Sequence, residues 1–197
     1  MYKVQISENV VKLAISAVEL AKNFMQDTGE SKRYIGGKNT SVGFLMKQGH
    51  RGWNNYYPSS FVESSSWKEF QNLIQPLVSI LSTHMEEYCP QTCKIINQFM
   101  PDGHCPFHYW HSVSITENVK DVKEHVDALN YSGALTVSVT LKGNGVLTVN
   151  GQEIQLTPGQ AIFFDGKKPH SVVASHRLAL IFYLHASVLY TAISDLW

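Results

Sequence analysis

The chain has 197 residues, 44% of them hydrophobic, with 16 basic side chains balancing 16 acidic ones. That size and texture suit one globular domain over residues 1–197 and exclude a disordered or low-complexity chain. Zero net charge and the lack of an apolar run of about 18 residues leave neither nucleic acid nor a membrane as an expected partner. Three cysteines and no apolar leader pattern at Met1–Gln5 point to a reducing, cytoplasmic setting.

The first element expected is an amphipathic helix from Ser7 to about Asp27. Val10, Val11, Leu13, Ala14, Ala17, Val18, Leu20, Ala21 and Phe24 recur at helical spacing, and Gly29 supplies a stop. Residues 30–65 follow as a long Gly-, Asn-, Ser- and aromatic-rich segment, either a substrate-covering loop or ordinary surface coat. A second helix opens at Ser66, where Ser66 and Glu69 have capping-box spacing. Its apolar stripe is Trp67, Phe70, Leu73, Ile74, Leu77, Val78 and Leu81, and Pro76 inside the stripe is expected to kink or split it. Both stripes are read as faces that pack on a sheet.

From Lys94 the texture turns to short alternating or apolar runs. Strands are expected over 94–99, 134–141, 145–149, 153–156, 160–164, 170–174 and 177–184. Asn150-Gly151 marks a tight hairpin, because both central positions of that turn need positive φ. The segment between Met100 and Glu124, with His104, Phe107, His108, Tyr109, Trp110 and His111, is read as a substrate-lining or lid segment. The sum is an α+β domain: residues 1–93 as helical support and loop, and residues 94–185 as a jelly-roll core.

One constellation carries chemistry. In an extended segment, His125 and Asp127 point to the same face and can chelate one ion together. His170, just past Pro169, can return beside them on a neighbouring strand. Two imidazoles and a carboxylate on one face of an Fe(II) ion leave three positions open for chemistry, the arrangement typical of non-haem iron oxygenases. The plainer alternative makes His125 and Asp127 a surface hydrogen-bonding pair and His170 a strand-end histidine. Arg177 opens the apolar run Arg177–Leu184, where a guanidinium is costly to bury without an anionic partner. It either clamps a carboxylate or extends its head to solvent.

The order Lys94–Gly103, His125-Val126-Asp127, Gly143–Leu147, Ala161–Phe164, Pro169-His170 and Arg177 resembles the 2-oxoglutarate- and Fe(II)-dependent dioxygenases, with the texture of the prolyl-hydroxylase-like and nucleic-acid-demethylase branches, over roughly half the chain. The resemblance implies a double-stranded β-helix of cupin-like type with N-terminal flanking helices. It implies His125, Asp127 and His170 as catalytic metal ligands for Fe(II), Arg177 as the anchor for the distal carboxylate of 2-oxoglutarate, and Asn97 as a hydrogen-bond partner of that co-substrate. The pattern departs from the family at Phe99, where a tyrosine is common, and at Ala179, where some branches carry serine.

The activity implied is hydroxylation of a C–H bond in a small molecule, amino acid or peptide by O2, with release of succinate and CO2. A carboxylate at position 127 disfavours halogenation. Nucleic-acid demethylation fits less well, because the charge is balanced and no basic stripe is present. A cupin-type metal-binding protein or isomerase is the other class, since Gly143–Val149 and Pro158–His170 also look like cupin segments. The cupin pattern asks for His-x-His where this chain has His125-Val126-Asp127.

Overall fold

The computed structural model describes residues 1–24, 61, 64–99, 107–118, 121–127 and 135–184. The elements in chain order are β1 (Tyr2–Gln5), α1 (Glu8–Ala21) with a 3-10 turn at Lys22–Phe24, α2 (Ser66–Tyr88) and α3 (Pro90–Phe99). They continue as β2 (Trp110–Asn118), β3 (Val122–His125), β4 (Leu135–Val149), β5 (Gln152–Leu156), β6 (Gln160–Asp165) and β7 (His170–Leu184).

All seven strands form one antiparallel system in the order β1-β6-β4-β7-β2, with β5 added to β4 and β3 added to β7. The two long strands each serve two layers. The first half of β4 pairs with β6 and with the second half of β7; its second half pairs with β5 and with the first half of β7. This bent double sheet, with helices before it, is the α+β double-stranded β-helix expected from the sequence.

The bend has a visible cause. Register shifts break the β4–β7 ladder between Thr140 and Asn144. On the β7 side His176 adopts φ 49°, and on the β4 side Gly143 adopts φ 72°. Each irregularity inserts a residue and flips the side-chain alternation, as a bulge does. So Thr136, Ser138 and Thr140 face inward before the bend, and Leu147 and Val149 face inward after it. On β7, His170 and Arg177 share the inner face although they lie an odd number of residues apart.

The outer face of the larger layer is apolar. Leu135, Val137, Val139, Leu141, Phe163, Leu178, Leu180 and Phe182 form one buried cluster with the helices. α1 contributes Val11, Ala14, Ala17, Val18 and Ala21 to that cluster, and α2 contributes Phe70, Ile74, Leu77, Val78, Leu81 and Met85. A second cluster inside the double sheet holds Val122, Leu147, Val149, Leu156, Ile162, Phe164 and Val172. At roughly 25 cal/mol per Å2 of apolar area removed from water, these faces supply the main driving force for the fold.

Several expectations need correction. The strand expected over 94–99 is instead part of helix α3, Pro90–Phe99. Its apolar positions suit a 3.6-residue period as well as a two-residue one, and the short run carried no signal to choose between them. Pro76 does not split α2, which runs unbroken from Ser66 to Tyr88; buried residues on both sides of it hold the helix together. The capping box at Ser66 is absent, since Ser65 precedes the helix and makes no side-chain capping bond.

The runs expected separately at 134–141 and 145–149 fall in one strand, Leu135–Val149, and those at 170–174 and 177–184 fall in His170–Leu184. The edge strand Tyr2–Gln5 was not foreseen, nor was Trp110–Asn118, part of the segment read as a lid. The Asn150-Gly151 turn is as expected, with φ 49° and 78°. The stop at Gly29, His104 and the loop segment 30–65, apart from Phe61, Ser64 and Ser65, lie outside the described residues. No helix among the described residues is long and apolar enough to cross a membrane.

Candidate metal centre

His125 ends β3 and is the ladder partner of His170, the first residue of β7. Asp127 follows two residues after His125, its backbone N–H donating to the Gly166 carbonyl at 2.8 Å. These placements bring one ligand atom from each residue to within 4.8 Å of the other two. Asp127 Oδ1 stands 3.8 Å from Nε2 of His125 and 3.8 Å from Nε2 of His170. Both separations lie inside the span that one ion bridges with bonds of about 2.1 Å. Asp127 and His170 are buried, while His125 is partly open on one side.

Each imidazole is oriented from behind. His125 Nδ1 lies 2.8 Å from the Lys123 carbonyl, and His170 Nδ1 lies 2.8 Å from the Lys168 carbonyl. With Nδ1–H donating there, Nε2 keeps its lone pair and faces the centre, the arrangement that ligating histidines adopt. Phe164 packs edge-on against His170 at 5.1 Å, which limits rotation of that ring. The other Asp127 oxygen, Oδ2, accepts a hydrogen bond from Thr136 Oγ1 at 2.9 Å. Gly166 makes room for this contact: a Cβ there would fall 2.5 Å from Asp127 Oδ2 and 2.5 Å from Thr136 Oγ1.

The donor set fits a divalent transition metal. Two nitrogen lone pairs and one carboxylate oxygen converge from one side, and the nitrogen–oxygen mix suits iron better than the all-oxygen sets preferred by magnesium or calcium.

Arg177 lies on the same inner face and is 2% exposed. Its Nε donates to Thr140 Oγ1 at 3.1 Å and its Nη2 to Ser138 Oγ at 2.5 Å. No carboxylate pairs with it among the described residues. Burial alone pushes its ionisation down to about 10. The guanidinium therefore stays charged at neutral pH, with donors in excess of the two bonds it makes.

The structure thus brings His125, Asp127 and His170 together and sets Arg177 on the inner face that carries them. Asn97 is placed otherwise. It sits on helix α3, exposed, with its amide 3.5 Å from the Tyr109 hydroxyl, and lines a separate 460 Å3 depression with Glu86, Cys93 and Lys94. The segment that carries it is thus a helix where the sequence suggested a strand. Thr136, Ser138, Thr140 and Gly166 were missed. The signal available for the first three was three hydroxyl residues at alternate positions of an otherwise apolar strand.

The family model for aspartyl/asparaginyl beta-hydroxylases matches residues 39–185. No curated protein sequence matches the chain. Among solved structures, a conserved protein of unknown function from Streptococcus pyogenes shares 17% identity at a TM-score of 0.31, over 38% of this chain and 64% of that one. A cupin superfamily protein from Desulfitobacterium hafniense shares 23% identity at a TM-score of 0.32, over 38% of this chain and 67% of that one. A salicylate 1,2-dioxygenase variant from Pseudoaminobacter salicylatoxidans shares 17% identity at a TM-score of 0.31, over 39% of this chain and 20% of that one. The chain thus spans just under two thirds of the Streptococcus protein. On the family match, which covers most of its length, the chain belongs to the aspartyl/asparaginyl beta-hydroxylase family, within the 2-oxoglutarate/Fe(II) oxygenase type that its motif order resembles.

Proposed function

We propose that this protein is an Fe(II)- and 2-oxoglutarate-dependent dioxygenase that hydroxylates a C–H bond of an amino acid, a peptide side chain or a comparable small molecule. The observation that carries the reading is the convergence of His125, Asp127 and His170 on one point of an inner face that also holds a buried arginine without a carboxylate partner among the described residues. Bound together, iron and 2-oxoglutarate supply oxygen activation, with succinate and CO2 as by-products. The protein's own share is to bind, orient and shield.

His125, Asp127 and His170 would hold the iron from one side and leave its other side open to the keto acid and dioxygen. Asp127 as the third ligand fits hydroxylation. Arg177 provides the anchor at the other end of the co-substrate. Its Nη2 meets Ser138, one strand repeat of about 6.6 Å along β4 from Thr136, which touches the metal-ligating carboxylate. A short dicarboxylic acid laid along that strand reaches from ion to guanidinium. Its distal carboxylate supplies the missing counter-charge, which a buried arginine needs most. Ser138 and Thr140 keep the guanidinium plane fixed before the acid arrives, which lowers the cost of ordering it.

The test is succinate release. Purified protein supplied with Fe(II), ascorbate, air and 2-oxoglutarate is expected to form succinate, faster when the right amino acid or peptide is added, and Asp127→Ala is expected to abolish it. Absence of succinate across free amino acids and short peptides, together with no stabilisation against heat by 2-oxoglutarate, overturns the proposal.

A further inference from the structure

A carboxylate can bind an ion through one oxygen or two, and in this centre the choice sets how many positions stay open. Asp127 Oδ1 is equidistant from both imidazole Nε2 atoms, whereas Oδ2 is turned away and occupied by the Thr136 hydroxyl at 2.9 Å. Both side chains are buried, Thr136 at 1% exposure. Thr136 lies directly opposite Phe164 on β6 and Tyr183 on β7, so its hydroxyl has no solvent to turn to. As a β-branched residue in a strand it also has little rotamer freedom. Gly166 completes the cradle, because any Cβ there would fall where hydroxyl and carboxylate meet.

We infer that Thr136 is a positioning residue that, with the gap left by Gly166, holds Asp127 as a one-oxygen ligand. Oδ1 is committed to the ion and Oδ2 to the hydroxyl. Without that restraint the carboxylate is free to swing and offer both oxygens, taking a position otherwise left for co-substrate or oxygen. The inference rests on the metal reading above but makes a separate claim about a residue that is not itself a ligand.

The experiment is anaerobic titration with Co(II), whose visible d–d bands report affinity and coordination number, on the full chain and three variants. Wild-type protein is expected to bind one Co(II) with the weak bands of a six-coordinate ion. Thr136→Val, which keeps shape and loses the donor, is expected to bind roughly 10- to 100-fold more weakly with altered bands. Thr136→Ser is expected to restore both affinity and spectrum. Gly166→Ala is expected to move both in the direction of Thr136→Val, and the double variant to add little, since both changes break one contact.

Melting in EDTA checks that each variant folds; should Thr136→Val not fold, Gly166→Ala against Thr136→Ser decides. Wild-type protein that binds no Co(II) overturns the metal reading and this inference with it. Wild-type binding with Thr136→Val or Gly166→Ala unchanged in affinity and bands overturns this inference alone.

Discussion

His125 and His170 are direct partners across the β3–β7 ladder, and the same device orients both. Each presents Nδ1 to the carbonyl two residues before it, at 2.8 Å in both cases. A shared tautomer and two converging Nε2 lone pairs follow from backbone geometry alone, before any metal arrives. The three side chains are therefore preorganised, and an ion would join them without refolding the strands that carry them.

That relationship predicts how the two histidines differ. The His125 side chain is 17% exposed against 6% for His170, so removing it leaves a smaller hole. His125→Ala is expected to change the stability of metal-free protein by less than about 1 kcal/mol. It should nevertheless abolish stabilisation by Mn(II), which in wild-type protein amounts to roughly 2.7 kcal/mol at a hundredfold excess over Kd. Thermal melts with Mn(II) and with EDTA check both halves.

Arg177→Ala is expected to raise the apparent constant for 2-oxoglutarate about 100-fold, the loss of a charge-assisted pair of roughly 3 kcal/mol, while Mn(II) affinity stays unchanged. Arg177→Lys recovers little, because an ammonium lacks the two-pronged geometry. The pH dependence has a definite sign. Burial lowers this group's ionisation to about 10, so the folded protein holds the proton less tightly than the unfolded chain. Its charge therefore costs the fold something at neutral pH, and that cost is relieved as pH rises through 10. Co-substrate affinity, which needs the charge, should stay level from pH 6 to 8.5 as far as Arg177 is concerned and fall only towards 10. Isothermal titration of the metal-loaded protein across that range measures it.

The bend between the two layers is predicted to be sensitive at one glycine and tolerant at another. Gly143 has φ 72°, and a Cβ there would meet the His176 carbonyl oxygen at 2.5 Å. Gly151 has φ 78° with nothing within 4 Å of its Cβ position. Gly151→Ala should cost about 1 kcal/mol, the strain of an alanine at positive φ, whereas Gly143→Ala should cost on the order of 3 kcal/mol or more. Gly143→Ala should also weaken 2-oxoglutarate binding, because the Arg177 Cα lies 2.9 Å from the same Cβ position. Urea unfolding of both variants gives the comparison.

Much of this site was legible in the written sequence, for a physical reason. His125 and Asp127 stand two apart, so period-two reasoning set both on one face, whereas His170 followed from the Pro169-His170 turn and Arg177 from its apolar run and the motif order. Period-two reasoning misread Lys94–Phe99, whose apolar residues satisfy a helix equally well. Trp110–Asn118 was hidden by its aromatic and histidine-rich approach, which looks like a loop although Trp110 is fully buried in the core. Thr136 was signalled only as one of three alternating hydroxyl residues, because a single threonine is an ordinary strand former. Its role appears only when the Gly166 turn brings Asp127 beside it. The paired bulges at Gly143 and His176 were equally hidden, and they alone put His170 and Arg177 on one face.

Cys93 is expected to be inert. The thiol sits on the buried side of α3, and burial pushes its ionisation up to about 12 despite a hydrogen bond with Tyr109. Here the folded protein holds the proton more tightly than the unfolded chain. The stability this contributes is complete below pH 9 and is lost as pH rises from 9 towards 12. Since only the thiolate reacts, the peptide containing Cys93 should resist iodoacetamide at pH 8 in native protein and react once urea unfolds it. Peptide mapping by mass spectrometry checks this.

On the proposed function, His125, Asp127 and His170 share one ferrous ion that also takes a keto acid. Anaerobic absorbance titration of the protein with Fe(II) and 2-oxoglutarate addresses it directly. The account predicts a visible charge-transfer band that saturates at one iron per chain, disappears in Asp127→Ala, and forms in Arg177→Ala only at far higher 2-oxoglutarate. A wild-type protein that gives no such band, or an Asp127→Ala variant that gives it undiminished, contradicts the account.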